Sequence, residues 1–170
     1  MKKTVTTVFA VLAACLLSLP AMTGEGAWFD PENCSICKNM AAEEGLMEHT
    51  KWETYMISNG AMSVMVVDPA YAEKMERASK GMEATIAKLE SGEQLPLCGF
   101  CMSYGNLMMN GAEREEFMTE WGTHISLMTS DNPELVEAIQ AHFEKTIVEY
   151  AKFMEAGGHG HDDHAGHAHN

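Results

Sequence analysis

A Cys-x-x-Cys motif occurs twice in this chain, and the sequence around it recurs with it. The motif at residues 34–37 returns 64 positions later at 98–101, and Asp68-Pro69 returns at the same interval as Asn132-Pro133. Self-similarity over this length predicts a duplicated supersecondary unit. The duplication constrains the fold strongly, because two units related by a twofold axis can bring two distant pairs of thiols together.

The first copy contains two strand-like runs followed by a helix. Lys51–Ile57 and Ala61–Val67 are joined at Ser58-Asn59-Gly60, and Asn-Gly between two such runs is a strong hairpin signal. Asp68 and Pro69 then predict a helix start, with an N-cap side chain followed by a proline at the first helical position. Apolar residues at spacings of three and four continue that helix to about residue 91.

The second copy repeats this order. Residues 114–120 and 123–130 are predicted strands with a turn at Trp121-Gly122, and Asn132-Pro133 predicts the start of the second long helix. His142 falls on the apolar stripe of that helix, so we expect it to be hydrogen-bonded and half-buried rather than a ligand.

These elements predict an α+β fold. Duplicated ββα units would form one antiparallel or mixed sheet with two long helices on one face, and a CxxC loop would precede each unit. A single hairpin with one helix is too small to hide its apolar side, so the two copies would share a core. We place a single domain at residues 28–156, with repeat one at 34–92 and repeat two at 98–156.

The N-terminus has the order of an export signal. Lys2 and Lys3 precede an apolar run from Val8 to Leu19 that is too short for a comfortable membrane span. We predict a signal peptide over residues 1–23 and a periplasmic or secreted protein with no transmembrane span. Lipid attachment at Cys15, within Leu-Ala-Ala-Cys, is the alternative.

The acidic balance of the chain argues against nucleic acid as a partner. The formal net charge is −14, and removing residues 1–23 takes away two lysines and no acidic residue, which leaves −16. Such a field repels a phosphate polyanion but attracts cations.

The last 14 residues are rich in histidine, glycine and aspartate and cannot build a core. We predict a disordered tail at residues 157–170. Neutral imidazole binds zinc, copper and nickel, so we expect the tail to capture metal ions. Its five candidate ligands are His159, His161, His164, His167 and His169.

The two dithiols allow three interpretations. Cys34, Cys37, Cys98 and Cys101 together would complete a four-cysteine site for zinc or copper. Alternatively, an even set of cysteines in an oxidising compartment forms disulfides, which would staple an interaction module. The third interpretation, and the enzymatic one, is thiol–disulfide exchange, although the order of elements expected for a thioredoxin is missing.

Methionine is abundant, with 15 residues in the chain. Thioether sulfur is a soft ligand, and Met40 extends the first motif to Cys-x-x-Cys-x-x-Met. We therefore include Met40 among the metal candidates. Met65, Met75 and Met82 occupy strand and helix positions at which we expect them to fill the core.

Residues 34–40 (Cys-Ser-Ile-Cys-Lys-Asn-Met), followed by a hairpin and a helix, resemble the small metal-binding units of the TRASH and YHS type. They are also similar to the exported copper-delivery lipoproteins that serve nitrous oxide reductase. The resemblance covers about residues 34–90 and, more loosely, 98–155. It implies metal ligation by Cys34, Cys37 and Met40.

The sequence thus predicts an exported, non-enzymatic protein that binds, buffers or delivers zinc or copper. Metal ions are its expected partners, together with an exported metalloprotein or metal transporter that would receive them.

Overall fold

The computed structural model describes residues 26–120 and 122–156. The predicted signal peptide, the lipidation candidate Cys15 and the histidine tail all lie outside these residues. Within them, the order of a shorter helix, a hairpin and a long helix occurs twice. The elements are α1 (Lys38–Ala41), β1 (Thr50–Ile57), β2 (Gly60–Val67), a 3-10 helix (Pro69–Tyr71), α2 (Ala72–Glu90), α3 (Gly99–Met109), β3 (Glu113–Met118), β4 (Thr123–Thr129) and α4 (Pro133–Glu155).

The four strands form one antiparallel sheet in the order β1-β2-β4-β3. The inner strand of each hairpin pairs with the inner strand of the other, so β2 lies beside β4. Each hairpin contributes one edge strand, β1 or β3. This confirms the α+β class and the antiparallel sheet. The origin of the two halves by duplication stays a prediction.

The first hairpin turn is tighter than predicted. Ile57 pairs directly with Gly60, so Ser58 and Asn59 alone form the loop. Gly60 has a φ of 156°, and a Cβ at this position would collide with the backbone carbonyl of Met128 on β4. Glycine is therefore required here by the close approach of the neighbouring strand as much as by the turn.

Both long helices begin where the sequence predicts. Asp68 accepts a hydrogen bond from the backbone N–H of Ala70, and Asn132 accepts one from that of Glu134, each at the position before a proline. The first of these starts differs in one detail. Three residues form a 3-10 helix before α2 becomes regular.

The main core lies between the sheet and α4. It is formed by Ala61, Leu107, Ala112, Met128, Ile139 and Phe143, all buried. Helix α4 crosses β1, β2 and β4, and α3 packs against α4, whereas α2 packs chiefly against α1. Within the described ranges no helix is both long enough and apolar enough to cross a bilayer.

Candidate metal centre

The four predicted cysteines meet in one cluster. Cys34 Sγ lies 3.5 Å from Cys101 Sγ, and Cys37 Sγ lies 3.5 Å from Cys101 Sγ and 3.7 Å from Cys98 Sγ. All four sulfurs lie within 4.8 Å of one another. The thiols are free, and three of the four residues are buried. The structure therefore brings the two motifs together at one point, as a shared metal site requires.

The first motif is held by a turn that leads into α1. The backbone N–H of Cys34 donates to the carbonyl of Asp30 at 2.9 Å, and that of Lys38 donates to the carbonyl of Cys34 at 3.0 Å. The N–H of Cys37, the residue before the helix, also points at Cys34 Sγ from 3.5 Å. An N–H directed at a sulfur favours its thiolate form.

The second motif stands at the start of α3. Cys98 is the residue before the helix, and its carbonyl accepts from the N–H of Met102 at 3.0 Å. The sequence predicted a CxxC loop before the second unit, whereas Cys98 leads directly into α3, which runs for 11 residues. The N–H groups of Gly99 and Phe100 donate to the carbonyls of Ala27 and Trp28, so the segment at residues 27–30 fixes this motif from outside.

A direct backbone bond joins the two loops. The N–H of Ser35, within the first motif, donates to the carbonyl of Pro96, two residues before the second motif, at 2.9 Å. Ile36, Leu97 and Phe100 pack around the buried thiols. An apolar, poorly hydrated surrounding strengthens the interaction of thiolates with a cation and penalises unpaired charge.

The thiols cannot ionise independently at these distances. Hydrogen bonds from the other three cysteines, chiefly from Cys101, lower the pKa of Cys34. The hydrogen bond with Cys101 is also the main reason that the pKa of Cys98 falls to about 7. The contact with Cys34 is the largest cause that raises the pKa of Cys101. For Cys37 the bond with Cys101 favours the thiolate, but the contacts with Cys34 and Cys98 and its burial outweigh it and raise the pKa.

This uneven titration has a chemical consequence. The pKa values of Cys34 and Cys98 are lowered and those of Cys37 and Cys101 are raised, so the thiols of the cluster do not ionise alike. A divalent ion at the centre would offset the repulsion among thiolates, so its binding would release protons.

Of the other predicted ligands, Met40 alone lies among the described residues, and it is not one of the side chains packed on the thiol cluster. Met40 on α1 lies on the wall of a neighbouring cavity, to which Cys37 and Cys101 also contribute. The five histidines of the tail lie outside the described residues. His142 is more deeply buried than predicted, with 4% of its surface exposed, and its Nδ1 lies 2.9 Å from Ser103 Oγ.

Sequence reasoning missed two supports of the site. Asn39 donates to the carbonyls of Ser35 and Ile36 at 3.0 and 2.9 Å and so closes the first loop. Phe29 stacks on Phe100 at 5.5 Å between ring centroids and covers the second loop. An asparagine two residues after a Cys-x-x-Cys motif is a detectable signal for the first support, whereas the contact of Phe29 depends on tertiary structure.

Comparison of the chain with families of known proteins, with curated proteins and with solved structures finds no match.

Proposed function

We propose that this chain is an exported metal-binding protein in which Cys34, Cys37, Cys98 and Cys101 hold one zinc ion. The convergence of the four sulfurs carries the proposal. Four ligands at about 2.3 Å from a tetrahedral zinc stand about 3.8 Å apart. The distances of 3.5 to 3.7 Å between the two motifs lie close to that value.

The ligand set selects among metals. Four thiolates in a tetrahedron are typical of zinc or of iron, whereas calcium and magnesium require oxygen ligands. Zinc is the better candidate in an oxidising compartment because it has no redox chemistry of its own. Copper remains the rival ion, as the resemblance to copper-delivery lipoproteins implies.

The two thiol-based alternatives fit the geometry less well. A disulfide needs two sulfurs about 2.05 Å apart, whereas the sulfurs of the two motifs stand 3.5 to 3.7 Å apart and Cys101 is equally near to Cys34 and Cys37. Thiol–disulfide exchange needs an accessible thiolate, yet Cys34 and Cys98 are 1% and 3% exposed. Burial of this kind favours metal-binding cysteines over cysteines that react with an external disulfide.

The histidine-rich tail adds capture, buffering or delivery of metal ions to the proposed function. Five imidazoles within the last 12 residues would capture zinc or copper from solution and raise its concentration near the domain. An exported metalloprotein or a metal transporter would then be the recipient. Buffering or delivery is the role that a net charge of −14 and a histidine-rich end favour.

The proposal predicts one thiolate-bound ion per chain. The full-length chain with asparagine at all five tail histidines, purified anaerobically, should contain one equivalent of zinc by mass spectrometry of metals. Its four thiols should be protected from a thiol reagent until a chelator is added. Cys98→Ser should weaken zinc binding by roughly 100-fold or more, since it removes a ligand and not merely an outer hydrogen bond.

Two controls make the result specific. A full-length variant with asparagine at all five tail histidines should keep the thiol-bound ion, and Ser103→Ala, on the same helix as Cys101, should keep it too. Two disulfides in the anaerobic protein, or equal zinc affinity after Cys98→Ser, would contradict the proposal. Stoichiometric iron or copper in place of zinc would correct the identity of the ion.

A further inference from the structure

A cavity of about 200 Å³ adjoins the thiol cluster on the side of Cys37 and Cys101. Aromatic rings form much of its wall, among them Trp52 of β1 and Phe100 of α3. It is a separate space from the point where the four sulfurs meet, because Cys34 and Cys98 do not line it.

Four methionines from four different segments line this cavity. Met40 belongs to α1, Met47 to the loop before β1, Met65 to β2 and Met82 to α2. The four are half-buried. Their convergence is a product of the tertiary fold, since no two of them lie within six positions of each other in the chain.

Core filling does not account for this arrangement. A methionine fills a gap because its unbranched side chain adapts to irregular space, and protein interiors are packed with few voids larger than a water molecule. Here four adaptable side chains surround a space that they leave open. The sequence-based expectation that Met65 and Met82 merely fill the core is therefore incomplete.

The lining also excludes most cations. Among the described residues that form it, none carries a carboxylate or an imidazole, so hard ions lack ligands there, and its two thiols, Cys37 and Cys101, belong to the proposed zinc site. Thioethers carry no proton and no charge, and they suit soft monovalent ions. The face of Trp52 adds a site at which a cation is attracted to a ring.

We infer that this cavity is a second metal site, in which the thioethers of Met40, Met47, Met65 and Met82 bind a soft monovalent cation, Cu(I) or Ag(I). The site goes beyond the proposed function, because it needs thioethers and not the four thiols. A zinc-loaded thiol cluster would strengthen the binding of a cation in the cavity, because Zn²⁺ with four thiolates has a net charge of −2 and lies next to it.

The test is a silver titration followed at the methionine methyl groups. Full-length protein with ¹³C-labelled methionine methyls is loaded with zinc and titrated with silver nitrate in chloride-free buffer. We expect the first equivalent of Ag(I) to shift the four cavity methyl signals. Met109 and Met118, which are 79% and 68% exposed, should keep their positions until silver is in excess.

Variants make the test quantitative. Met65→Leu combined with Met82→Leu conserves volume, so the fold should persist, and unchanged zinc content would show that it does. The double variant should bind Ag(I) about tenfold more weakly in competition with a chelator. Met109→Leu on the exposed end of α3 is the matched control and should bind as the wild type does.

Three outcomes would overturn the inference. In the first, Ag(I) displaces zinc while the signals of the cavity methyls do not shift. In the second, the signals of Met109 and Met118 shift before those of the cavity methyls. In the third, the double variant and the control bind Ag(I) with equal affinity. The first of these would leave the thiol site intact. Absence of zinc binding would refute the proposed function instead, and the Ag(I) affinity of the double variant relative to the Met109→Leu control would still decide the cavity site.

Discussion

At the residue scale, the first cysteine loop depends on how closely α2 approaches it. Asn39 donates to two carbonyls of the loop, and its side chain lies against the backbone of α2 at Gly81. A Cβ at residue 81 would stand 2.9 Å from Asn39 Cγ and still nearer to its Oδ1. The amide of Asn39 can therefore bridge the loop only because residue 81 has no side chain.

Gly81→Ala should destabilise the protein although alanine favours helix. The new methyl group would push Asn39 away from the carbonyls of Ser35 and Ile36, and overpacking of this kind costs about 1–3 kcal/mol. Replacing glycine within a helix returns only about 0.5–1 kcal/mol. Urea denaturation of the zinc form measures the net change, and zinc affinity should fall with it.

Gly105→Ala supplies the matched control. Gly105 also lies within a helix, α3, but no atom stands within 4 Å of a Cβ built there. This variant should be more stable than the wild type by about 0.5–1 kcal/mol and should keep its zinc affinity. Equal changes of stability in the two variants would contradict the role assigned to Asn39.

The roles of residues were predictable from the sequence where the side-chain chemistry leaves few uses. They were not predictable where the role depends on which side chains pack around the residue. The four cysteines were predicted to meet, and they do, because the spacing of two Cys-x-x-Cys motifs permits few uses. Met65 and Met82 were interpreted as filler, since a strand or helix pattern shows which face is apolar but not whether that face meets a partner side chain or a cavity. The sequence likewise placed His142 on the inner face of α4 but underestimated its burial.

At the element scale, the helix starts were predictable because they are encoded locally. Asp68-Pro69 and Asn132-Pro133 each combine a capping side chain with a residue whose φ already suits a helix. The hairpins were predictable to within a residue or two for the same reason. The order of the strands was not, because pairing of β2 with β4 depends on contacts between the two halves of the chain.

Asn132→Ala should lower stability by about 1 kcal/mol, because it leaves the backbone N–H of Glu134 without its side-chain acceptor at the start of α4. Thermal unfolding followed by circular dichroism measures the loss. Asn132→Asp keeps an acceptor oxygen at the helix N-terminus and should retain most of the wild-type stability. A loss as large in the aspartate variant as in the alanine variant would show that capping is not the cause.

At the scale of the whole molecule, acid should weaken the fold through a residue other than the four cysteines. Burial first, and the positive charge of Lys145 second, lower the pKa of His142 to about 4 from its ordinary value of 6.5. Because the folded state disfavours the protonated ring, the stability contributed by neutral His142 is complete above pH 6.5. It is lost as the pH falls from 6.5 towards 4, by about 3 kcal/mol in total.

His142→Asn should flatten this pH dependence. Asparagine stays neutral and keeps a polar group near the position of Nδ1, so a hydrogen bond to Ser103 remains within reach. The free energy of unfolding should be measured for both proteins from pH 7 to pH 4 at equal zinc, since acid also protonates thiolates in both. Parallel losses in the two proteins would show that His142 does not carry the effect.

The overall architecture followed from the sequence only in outline. The class of the fold and the antiparallel sheet were predicted from local signals together with the internal repeat. The depth of the thiol cluster, the role of residues 27–30 and the cavity were not, because each of them is created by segments that are far apart in the chain. Such contacts leave no periodic pattern for a reader of the sequence to detect.

The distance along the chain between the two halves of the thiol cluster bears on when the ion can be acquired. Cys34 and Cys101 are separated by 67 residues, so bringing them together closes a long loop at an entropic cost that the folded sheet must first offset. During synthesis the first motif emerges long before the second. Loading with zinc would thus mark the completion of folding, and an immature chain would have no means of retaining the ion.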